Sequence, residues 1–293
     1  MSSQNNNTNF KLSEVFNVQG KVALVTGGGS GIGLMATQAL AVNGAKVYIV
    51  GRTKEKLDTV VERYGRDIAG EIIPLVGDVT KKDGVEQLVQ EIDAREKCLC
   101  ILVNNAGIAS GKTAPEGKDA EELKSNLFDP TTLEEWTSVY TTNVVSPYLM
   151  TTAFLPLLQR ATEQHYGYSG TVINITSISG LLRISQGGQF PYNASKGAFI
   201  HLNKMLAVEV ANAGLKVRVN GIAPGVFPSE MTTEGSGGDQ KSSISKEQRE
   251  GLPSGRPGHD RDMAAAILFA ASCQYLNGQN IPVDGGYLLQ VGQ

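Results

Sequence analysis

Two residues near the middle of the chain have the spacing needed for proton transfer. Tyr192 and Lys196 lie four positions apart within 190–213, where the apolar pattern predicts a helix, so both side chains should lie on one helical face. A phenol has a pKa near ~10, too high to exchange a proton readily at neutral pH. A neighbouring ammonium group favours the phenolate and lowers that pKa. The pair therefore predicts a tyrosine that acts as general acid or base on an oxygen atom.

A glycine-rich turn follows the first apolar run of the chain. Residues 26–33 read T-G-G-G-S-G-I-G, which has the spacing G-x-x-x-G-x-G rather than the strict G-x-G-x-x-G. Small residues let the backbone turn sharply and approach a pyrophosphate, and the following helix start supplies N–H donors with partial positive charge. A tight turn without a ligand is the alternative. The strand pattern before it and the amphipathic helix after it favour dinucleotide binding.

Short apolar, β-branched runs alternate with helical patterns along the chain, which is typical of βαβ units. We predict strands at 22–25, 47–50, 72–76, 101–103, 171–175, 217–219 and 281–283. The expected fold is α/β: a single Rossmann-like, doubly wound parallel sheet of about seven strands with helices on both faces. This domain should span 18–293 after a flexible tail at 1–17. It should carry an insertion loop at 109–130, a long helix from about residue 133 and a substrate flap at 228–258.

Taken together, these motifs resemble the classical short-chain dehydrogenase/reductase family, from about Gly20 to Tyr287. The resemblance rests on the turn at 26–33 and on motifs that follow in the family's order. These are Asp78, the N-N-A-G at 104–107, Asn143, Ser177, Tyr192 with Lys196, Pro224-Gly225 and the V-D-G-G at 283–286. Within the family the chain is similar to 3-oxoacyl-thioester reductases and to fungal secondary-metabolite ketoreductases.

The resemblance implies a catalytic set of Asn143, Ser177, Tyr192 and Lys196. Ser177 would bind the substrate oxygen and orient it toward Tyr192. Ser179 is a rival, because the fifteen residues from Ser177 to Tyr192 exceed the usual family spacing by about two. Ser177 is favoured because it comes just after the fifth predicted strand, and two inserted residues within 180–189 would absorb the difference. Asn143 would kink a helix and hold a proton-relay water; an ordinary bend residue is its alternative.

The second predicted strand ends Val50-Gly51-Arg52-Thr53, without the acidic residue that binds the ribose 2′-hydroxyl of NAD. Arg52 can bind a 2′-phosphate through charge-assisted hydrogen bonds, or it is a solvated surface arginine. NADP(H) is therefore expected over NAD(H). The implied cofactor site comprises Gly27, Ser30, Gly31, Ile32, Gly33, Arg52, Thr53, Asp78, Val79, Asn105, Ala106, Gly107, Tyr192, Lys196, Pro224, Gly225, Phe227 and Ser229. A helix N-cap is the alternative role for Asp78.

The expected activity is NADPH-dependent reduction of a ketone or other carbonyl group, on a 3-oxoacyl or polyketide-like substrate, to a secondary alcohol. An NAD-linked alcohol dehydrogenase working oxidatively is the main alternative. A family scaffold recruited for non-redox chemistry and a non-enzymatic nucleotide sensor are more distant ones. Both would be more typical of chains that have lost the tyrosine or the lysine.

Composition limits the partners. The net charge is −3 without a basic stripe, and no apolar run approaches the ~20 residues of a bilayer span, so neither nucleic acid nor membrane is expected. The polar start lacks the apolar core of a secretory signal, and three cysteines do not build a disulfide framework, so we expect a cytoplasmic protein. No metal site is expected, because Cys98, Cys100 and the histidines show no ligand spacing. By resemblance, the chain forms a homotetramer or a homodimer.

Overall fold

The computed structural model describes residues 6–232, 235–244 and 252–291. Its centre is a seven-stranded sheet in the order β3-β2-β1-β4-β5-β6-β7, with every neighbouring pair parallel. The strands are β1 Val22–Thr26, β2 Lys46–Gly51, β3 Glu71–Val76, β4 Ile101–Asn104, β5 Thr171–Ile175, β6 Arg218–Pro224 and β7 Asn280–Val283. The predicted single doubly wound sheet is confirmed.

Helices cover both faces of this sheet. They are α1 Leu12–Val15, α2 Gly31–Val42, α3 Lys54–Tyr64, α4 Lys82–Arg95, α5 Ala120–Leu127, α6 Leu133–Tyr140, α7 Ser146–Gln164, α8 Phe190–Asn212, α9 Asp260–Ser272 and α10 Tyr287–Val291. Leu34 of α2 and Ile267 of α9 belong to the core on one face, and Phe154 of α7 and Leu206 of α8 to the core on the other. Among the described residues, no helix combines the length and the apolarity that a bilayer crossing requires.

The strand order determines where a ligand can bind. The chain runs from β1 outward to β3 on one side, then returns to place β4 beside β1 and continues to β7 on the other. At such a reversal the loops after the two central strands diverge and leave a crevice at the carboxyl ends. The glycine turn follows β1, and the N-N-A-G segment includes the end of β4, so both lie at this crevice.

The insertion predicted as a loop at 109–130 contains a helix, α5, so that prediction was wrong for part of the segment. Asp119 precedes the helix, and its carboxylate accepts hydrogen bonds from the backbone N–H groups of Glu121 and Glu122 at 3.1 and 2.9 Å. Acidic side chains in the first turn also suit the positive end of the helix dipole. The cap and the dipole stabilise a helix that has no fully buried residue.

The long helix expected from residue 133 is interrupted. A single π-helical turn, Thr141–Val145, separates α6 from α7, and Asn143 lies at its centre. A π turn of this kind is frequent at functional sites, because it redirects the side chains that follow. The predicted kink at Asn143 therefore corresponds to a defined change in helical geometry.

Two other predicted segments are only partly described. In the tail at 1–17, a short 3₁₀ turn, Asn6–Phe10, precedes α1, while residues 1–5 lie outside the described part. In the flap at 228–258, residues 233–234 and 245–251 lie outside it. The start of the flap is described, and it contacts the glycine turn: a Cβ atom added to Gly31 would lie 3.0 Å from Cβ of Ser229.

Candidate active site

A cleft of about 950 Å³ opens at the carboxyl ends of the strands, at the predicted crevice. Its walls come from the turns after β1, β2, β3, β4, β5 and β6 and from one face each of α6 and α8. Of the predicted catalytic and cofactor residues, all line this cleft except Gly33 and Asn143. The size falls within the range of small-molecule sites.

The glycine turn needs its small residues for close backbone approach. Gly27 has φ +65°, and a Cβ atom on Gly33 would lie 2.0 Å from the carbonyl oxygen of Gly27. Gly33 therefore shapes the turn from behind rather than lining the cleft. The side chain of Asn105 donates to the carbonyl of Thr26 at 3.0 Å, which fixes the turn to the end of β4. Ser30, at the start of α2, directs its hydroxyl to Glu230 rather than capping the helix.

One end of the cleft carries Arg52 and Thr53 after β2 and Asp78 and Val79 after β3. The Asp78 carboxylate accepts from the backbone N–H and the hydroxyl of Thr80 at 3.0 and 2.7 Å. The side-chain bond from Thr80 lowers the pKa of Asp78 most, and the nearby charge of Arg52 lowers it further. Asp78 therefore stays ionised and fixes the turn before α4, whose N-cap position belongs to another residue.

The middle of the cleft is formed by the end of β4. The backbone N–H groups of Asn105 and Ala106 both donate to the hydroxyl of Thr26 at 3.0 Å. Gly107 follows, and a Cβ atom added there would lie only 3.1 Å from Oδ1 of Asn143. These bonds hold the ends of β1 and β4 together where they line the cleft.

The segment after β6 forms the opposite wall. Gly225 donates its N–H to the carbonyl of Val283 at 2.9 Å, and a Cβ atom there would lie 2.7 Å from Cα of Asp284. Pro224 and Phe227 line the cleft beside it, and the phenylalanine ring is buried. Ser229 lines it too, and its backbone N–H donates to the hydroxyl of Thr232 at 2.9 Å.

Ser177, Tyr192 and Lys196 meet in the cleft. Ser177 lies two residues after the end of β5, while Tyr192 and Lys196 lie one turn apart near the start of α8. The Ser177 hydroxyl lies near the Tyr192 phenol and lowers its pKa. The Lys196 ammonium lies 5.7 Å from the centre of the Tyr192 ring and donates to the carbonyl of Ile175 at 3.0 Å.

The structure also distinguishes the two candidate serines. Ser177 lines the cleft, and its hydroxyl oxygen accepts a hydrogen bond from the backbone N–H of Ser179 at 3.1 Å. Ser179 is the middle residue of the 3₁₀ turn Ile178–Gly180, which Ser177 caps, and it does not itself line the cleft. The geometry therefore favours Ser177 as the substrate-binding hydroxyl.

Burial changes the proton affinities of both titratable members. It raises the pKa of the Tyr192 phenol, and the nearby Ser177 hydroxyl opposes that rise. Burial also lowers the pKa of Lys196 to about 8. At neutral pH the site thus holds a protonated phenol next to a lysine that remains mostly charged, which suits donation of a proton to a substrate oxygen.

Asn143 is fully buried and does not reach the cleft. Its amide group bonds the backbone of Ile108 and the hydroxyl of Ser195. Ile108 does line the cleft, so Asn143 shapes the wall from behind. The proton-relay water that the family resemblance implies at this position stays a prediction.

Residues 21–239 match the model of the family described as short chain dehydrogenase. The chain belongs to the short-chain dehydrogenase/reductase family. The protein is thus an oxidoreductase by family, as the sequence predicted.

This short-chain dehydrogenase/reductase has relatives of two kinds. It is 38% identical over 286 residues to the short-chain dehydrogenase/reductase PhomF of Diaporthe leptostromiformis, with 94% of each chain covered. It is 30% identical to the 3-oxoacyl-[acyl-carrier-protein] reductase FabG of Thermotoga maritima, covering 93% of this chain and 99% of that one. Among solved structures, the Pseudomonas aeruginosa RhlG/NADP active-site complex superposes with a TM-score of 0.79 at 32% identity, covering 93% and 98%.

Several residues of the dehydrogenase/reductase site were missed from the sequence. Lys56 lies four positions after Arg52, a spacing that places both near the start of α3, and this signal was available. Glu230 lies in the weakly patterned flap and meets Lys56 across 174 positions, so no local signal marks it. Part of the cleft wall comes from α6 and the π turn, and these residues carry no motif: Leu133, Glu134, Thr137, Ser138, Thr141 and Thr142.

A second cluster lies away from the cleft, in the segment just before β4 and directly after α7. The sulfur atoms of Cys98 and Cys100 are 4.0 Å apart, and a ring nitrogen of His165 lies within 4.8 Å of both. Burial raises the pKa of the Cys100 thiol to about 12 and lowers that of His165, which the charge of Lys21 lowers further. Cys98 and Cys100 are buried in the core on one face of the sheet, whereas His165 is only partly buried.

Proposed function

We propose that this protein reduces a ketone or other carbonyl group of a small molecule to a secondary alcohol with NADPH, with Tyr192 as the general acid. The observation that carries the proposal is the meeting of Ser177, Tyr192 and Lys196 in one cleft, whose other end is bounded by the glycine turn and Arg52. Relatives named as 3-oxoacyl reductases support the same direction of reaction.

The residues at the far end of the cleft fit NADP(H). The start of α2 leaves backbone N–H groups for a pyrophosphate, because the Ser30 hydroxyl is engaged by Glu230 instead. β2 ends at Gly51 and is followed by Arg52, so a cation rather than a carboxylate lies where a ribose 2′-phosphate would bind. The P. aeruginosa RhlG structure, at 32% identity, is a complex with NADP. When bound, NADPH supplies the hydride.

The protein's own groups would direct the proton. A carbonyl oxygen between Ser177 and Tyr192 would accept a hydrogen bond from each hydroxyl. As the carbonyl carbon gains the hydride, Tyr192 would transfer its phenolic proton to the oxygen, which leaves an alcohol and a phenolate. The Lys196 ammonium, 5.7 Å from the ring centre, would stabilise that phenolate until it regains a proton.

The substrate side of the cleft supports a ketone with both apolar and polar parts. Leu133 and Met231 present apolar surface, while Thr137 and Thr142 present hydroxyl groups. A 3-oxoacyl or polyketide-like ketone has this mixture. We further propose, on the family resemblance, that the protein is cytoplasmic and forms a homotetramer or a homodimer.

The proposal is tested by following the absorbance of the reduced nicotinamide in a panel of β-ketothioesters, aromatic ketones, quinones and decalones. NADPH consumption on some member, with slower consumption of NADH, is the expected result. Arg52→Asp should reverse that cofactor preference by removing a cation and adding a charge that repels the 2′-phosphate. Faster oxidation of secondary alcohols with NAD⁺ than reduction of any ketone would favour the oxidative alternative, and tight NADPH binding without turnover would favour a non-redox role.

A further inference from the structure

The carboxylate of Glu230 joins the flap to the cofactor end of the cleft. It lies 2.7 Å from the ammonium of Lys56 and accepts hydrogen bonds from the hydroxyls of Ser236 at 2.7 Å and Ser30 at 3.2 Å. The Lys56 and Glu230 side chains are both partly exposed. The three contacts lower the pKa of Glu230, so the group is ionised at neutral pH.

Lys56 lies where it can reach the same ligand as Arg52. Both line the cleft, and α3 begins two residues after Arg52, which places Lys56 in the first turn of that helix. A Cβ atom added to Gly29 would lie 3.7 Å from Cβ of Lys56, so the lysine stem lies against the glycine turn. The other charged groups that line this end are Asp78, Lys81 and Glu230.

We propose that Lys56 is a second cation for the 2′-phosphate of NADP(H), and that Glu230 weakens phosphate binding because its carboxylate shares the Lys56 ammonium. The inference rests on the proposed NADP(H) preference and adds a specificity-determining pair to it. Before the cofactor binds, the Glu230 carboxylate already neutralises part of the Lys56 charge. A 2′-phosphate bound to the same ammonium would also be repelled by that carboxylate. Glu230 thus narrows the difference in affinity between NADP(H) and NAD(H).

The test uses fragments that lack the nicotinamide, so it does not depend on catalysis. Dissociation constants of 2′,5′-ADP and 5′-AMP are measured by calorimetry on the full chain at low salt. Lys56→Gln should weaken 2′,5′-ADP about tenfold, and Glu230→Gln should tighten it about fivefold, with 5′-AMP changed less than about twofold in each, as expected for one partly screened charge. In the double variant the tightening by Glu230→Gln should disappear, because the shared cation is gone.

Lys54→Gln is the matched control. Lys54 is the first residue of α3, pairs with Asp58 and does not line the cleft, so its loss should leave both dissociation constants unchanged. If Glu230→Gln weakens 2′,5′-ADP or leaves it unchanged, the carboxylate does not compete with the phosphate and the proposal is overturned. Equal weakening of 5′-AMP by Lys56→Gln would overturn it too, since that indicates a structural role.

These outcomes are separable from those of the proposed reductase. If the variants change 2′,5′-ADP affinity as expected but no ketone is reduced, the roles of Lys56 and Glu230 are supported and the proposed reductase activity is not. If a ketone is reduced but Lys56→Gln does not weaken 2′,5′-ADP more than 5′-AMP, the reductase activity is supported and the role of Lys56 is not.

Discussion

The side chain of Asn143 holds the backbone of Ile108 at both of its polar atoms. Its amide nitrogen donates to the carbonyl of Ile108, and its amide oxygen accepts from the Ile108 N–H, each at 2.9 Å. The same amide nitrogen donates to the hydroxyl of Ser195 at 3.0 Å, between Tyr192 and Lys196 on α8. One buried residue therefore connects the cleft wall after β4 to the helix that carries Tyr192 and Lys196.

Asn143→Ala should destabilise the protein by about 2 kcal/mol, because the partly buried backbone N–H and carbonyl of Ile108 and the buried hydroxyl of Ser195 each lose a hydrogen-bond partner. The ketone reduction rate should fall as well, since the cleft wall and α8 lose their connection. Denaturant unfolding followed by circular dichroism measures the first effect. Asn126→Ala is the control: this exposed amide bonds the carbonyl of Glu116 in the insertion, and its loss should stay within about 0.5 kcal/mol. Equal free energies of unfolding for the two variants would show that the hydrogen bonds of Asn143 do not contribute to stability.

The two serines after β5 should differ sharply. Ser177→Ala removes a hydroxyl from the cleft beside Tyr192, so kcat/KM should fall by about 10²–10³, as for loss of one oxyanion donor. Ser179→Ala keeps the backbone N–H that donates to Ser177, so the loss should stay below about tenfold. Steady-state kinetics on one ketone decides between them. A larger loss for Ser179 would transfer the catalytic role to that residue.

The pH dependence should follow Lys196. Its pKa, lowered by burial to about 8, means that the ammonium loses its charge as the pH rises through 8. The phenolate left on Tyr192 is then no longer stabilised, so kcat for reduction should be constant below pH 8 and fall above it. The phenol, with a raised pKa, stays protonated over this range and does not limit the rate.

This profile is measured at saturating NADPH and ketone, with circular dichroism at each pH to show that the protein stays folded. A rate that remains level through pH 10 would contradict the assigned role of Lys196. A kcat that decreases as the pH is lowered below 8 would also contradict it, because protonation of Lys196 should support the reaction.

The contact between the insertion and the segment before α8 should influence substrate binding. Gly188 has φ +82°, and its carbonyl accepts from the N–H and the hydroxyl of Thr113 at 3.3 and 3.2 Å. A Cβ atom there would lie 2.1 Å from the carbonyl oxygen of Thr113, so Gly188→Ala should displace the insertion and raise KM. The expected destabilisation is about 2–4 kcal/mol, from backbone strain plus overlap.

Gly187→Ala is the matched control for that change. Gly187 also has a positive φ, +78°, but a Cβ atom there would have no other atom within 4 Å. It should cost only the backbone strain, about 1–2 kcal/mol, with KM unchanged. An unchanged KM in both variants would show that the position of the insertion does not affect substrate binding in the cleft.

The sequence predicted the strands whose residues are mostly apolar and β-branched. The predicted limits of β5 match the structure, because all five of its residues are buried. The predicted sixth strand stopped at residue 219, whereas β6 runs to Pro224. Asn220 and Gly221 interrupt the apolar run there, but the Asn220 amide is buried and donates to the carbonyl of Leu276, so the strand continues.

Much of the candidate site could be predicted for a related reason. Residues such as Ser177 and Arg52 follow predicted strands, and parallel strands place their carboxyl ends at one edge. Contacts between distant segments were beyond prediction: Thr113 with Gly188, and Lys56 with Glu230. Each joins residues in polar, weakly patterned segments, where no periodicity indicates the neighbour.

The central claim is that Tyr192 donates the proton during reduction of a ketone by NADPH. It is tested most directly by kcat/KM of wild type and Tyr192→Phe on the best ketone of the panel, with the dissociation constant of NADPH measured for both. Loss of a general acid should lower kcat/KM by about 10²–10⁴, while NADPH affinity stays within about twofold. A Tyr192→Phe protein that reduces the ketone within about tenfold of wild type would contradict the claim.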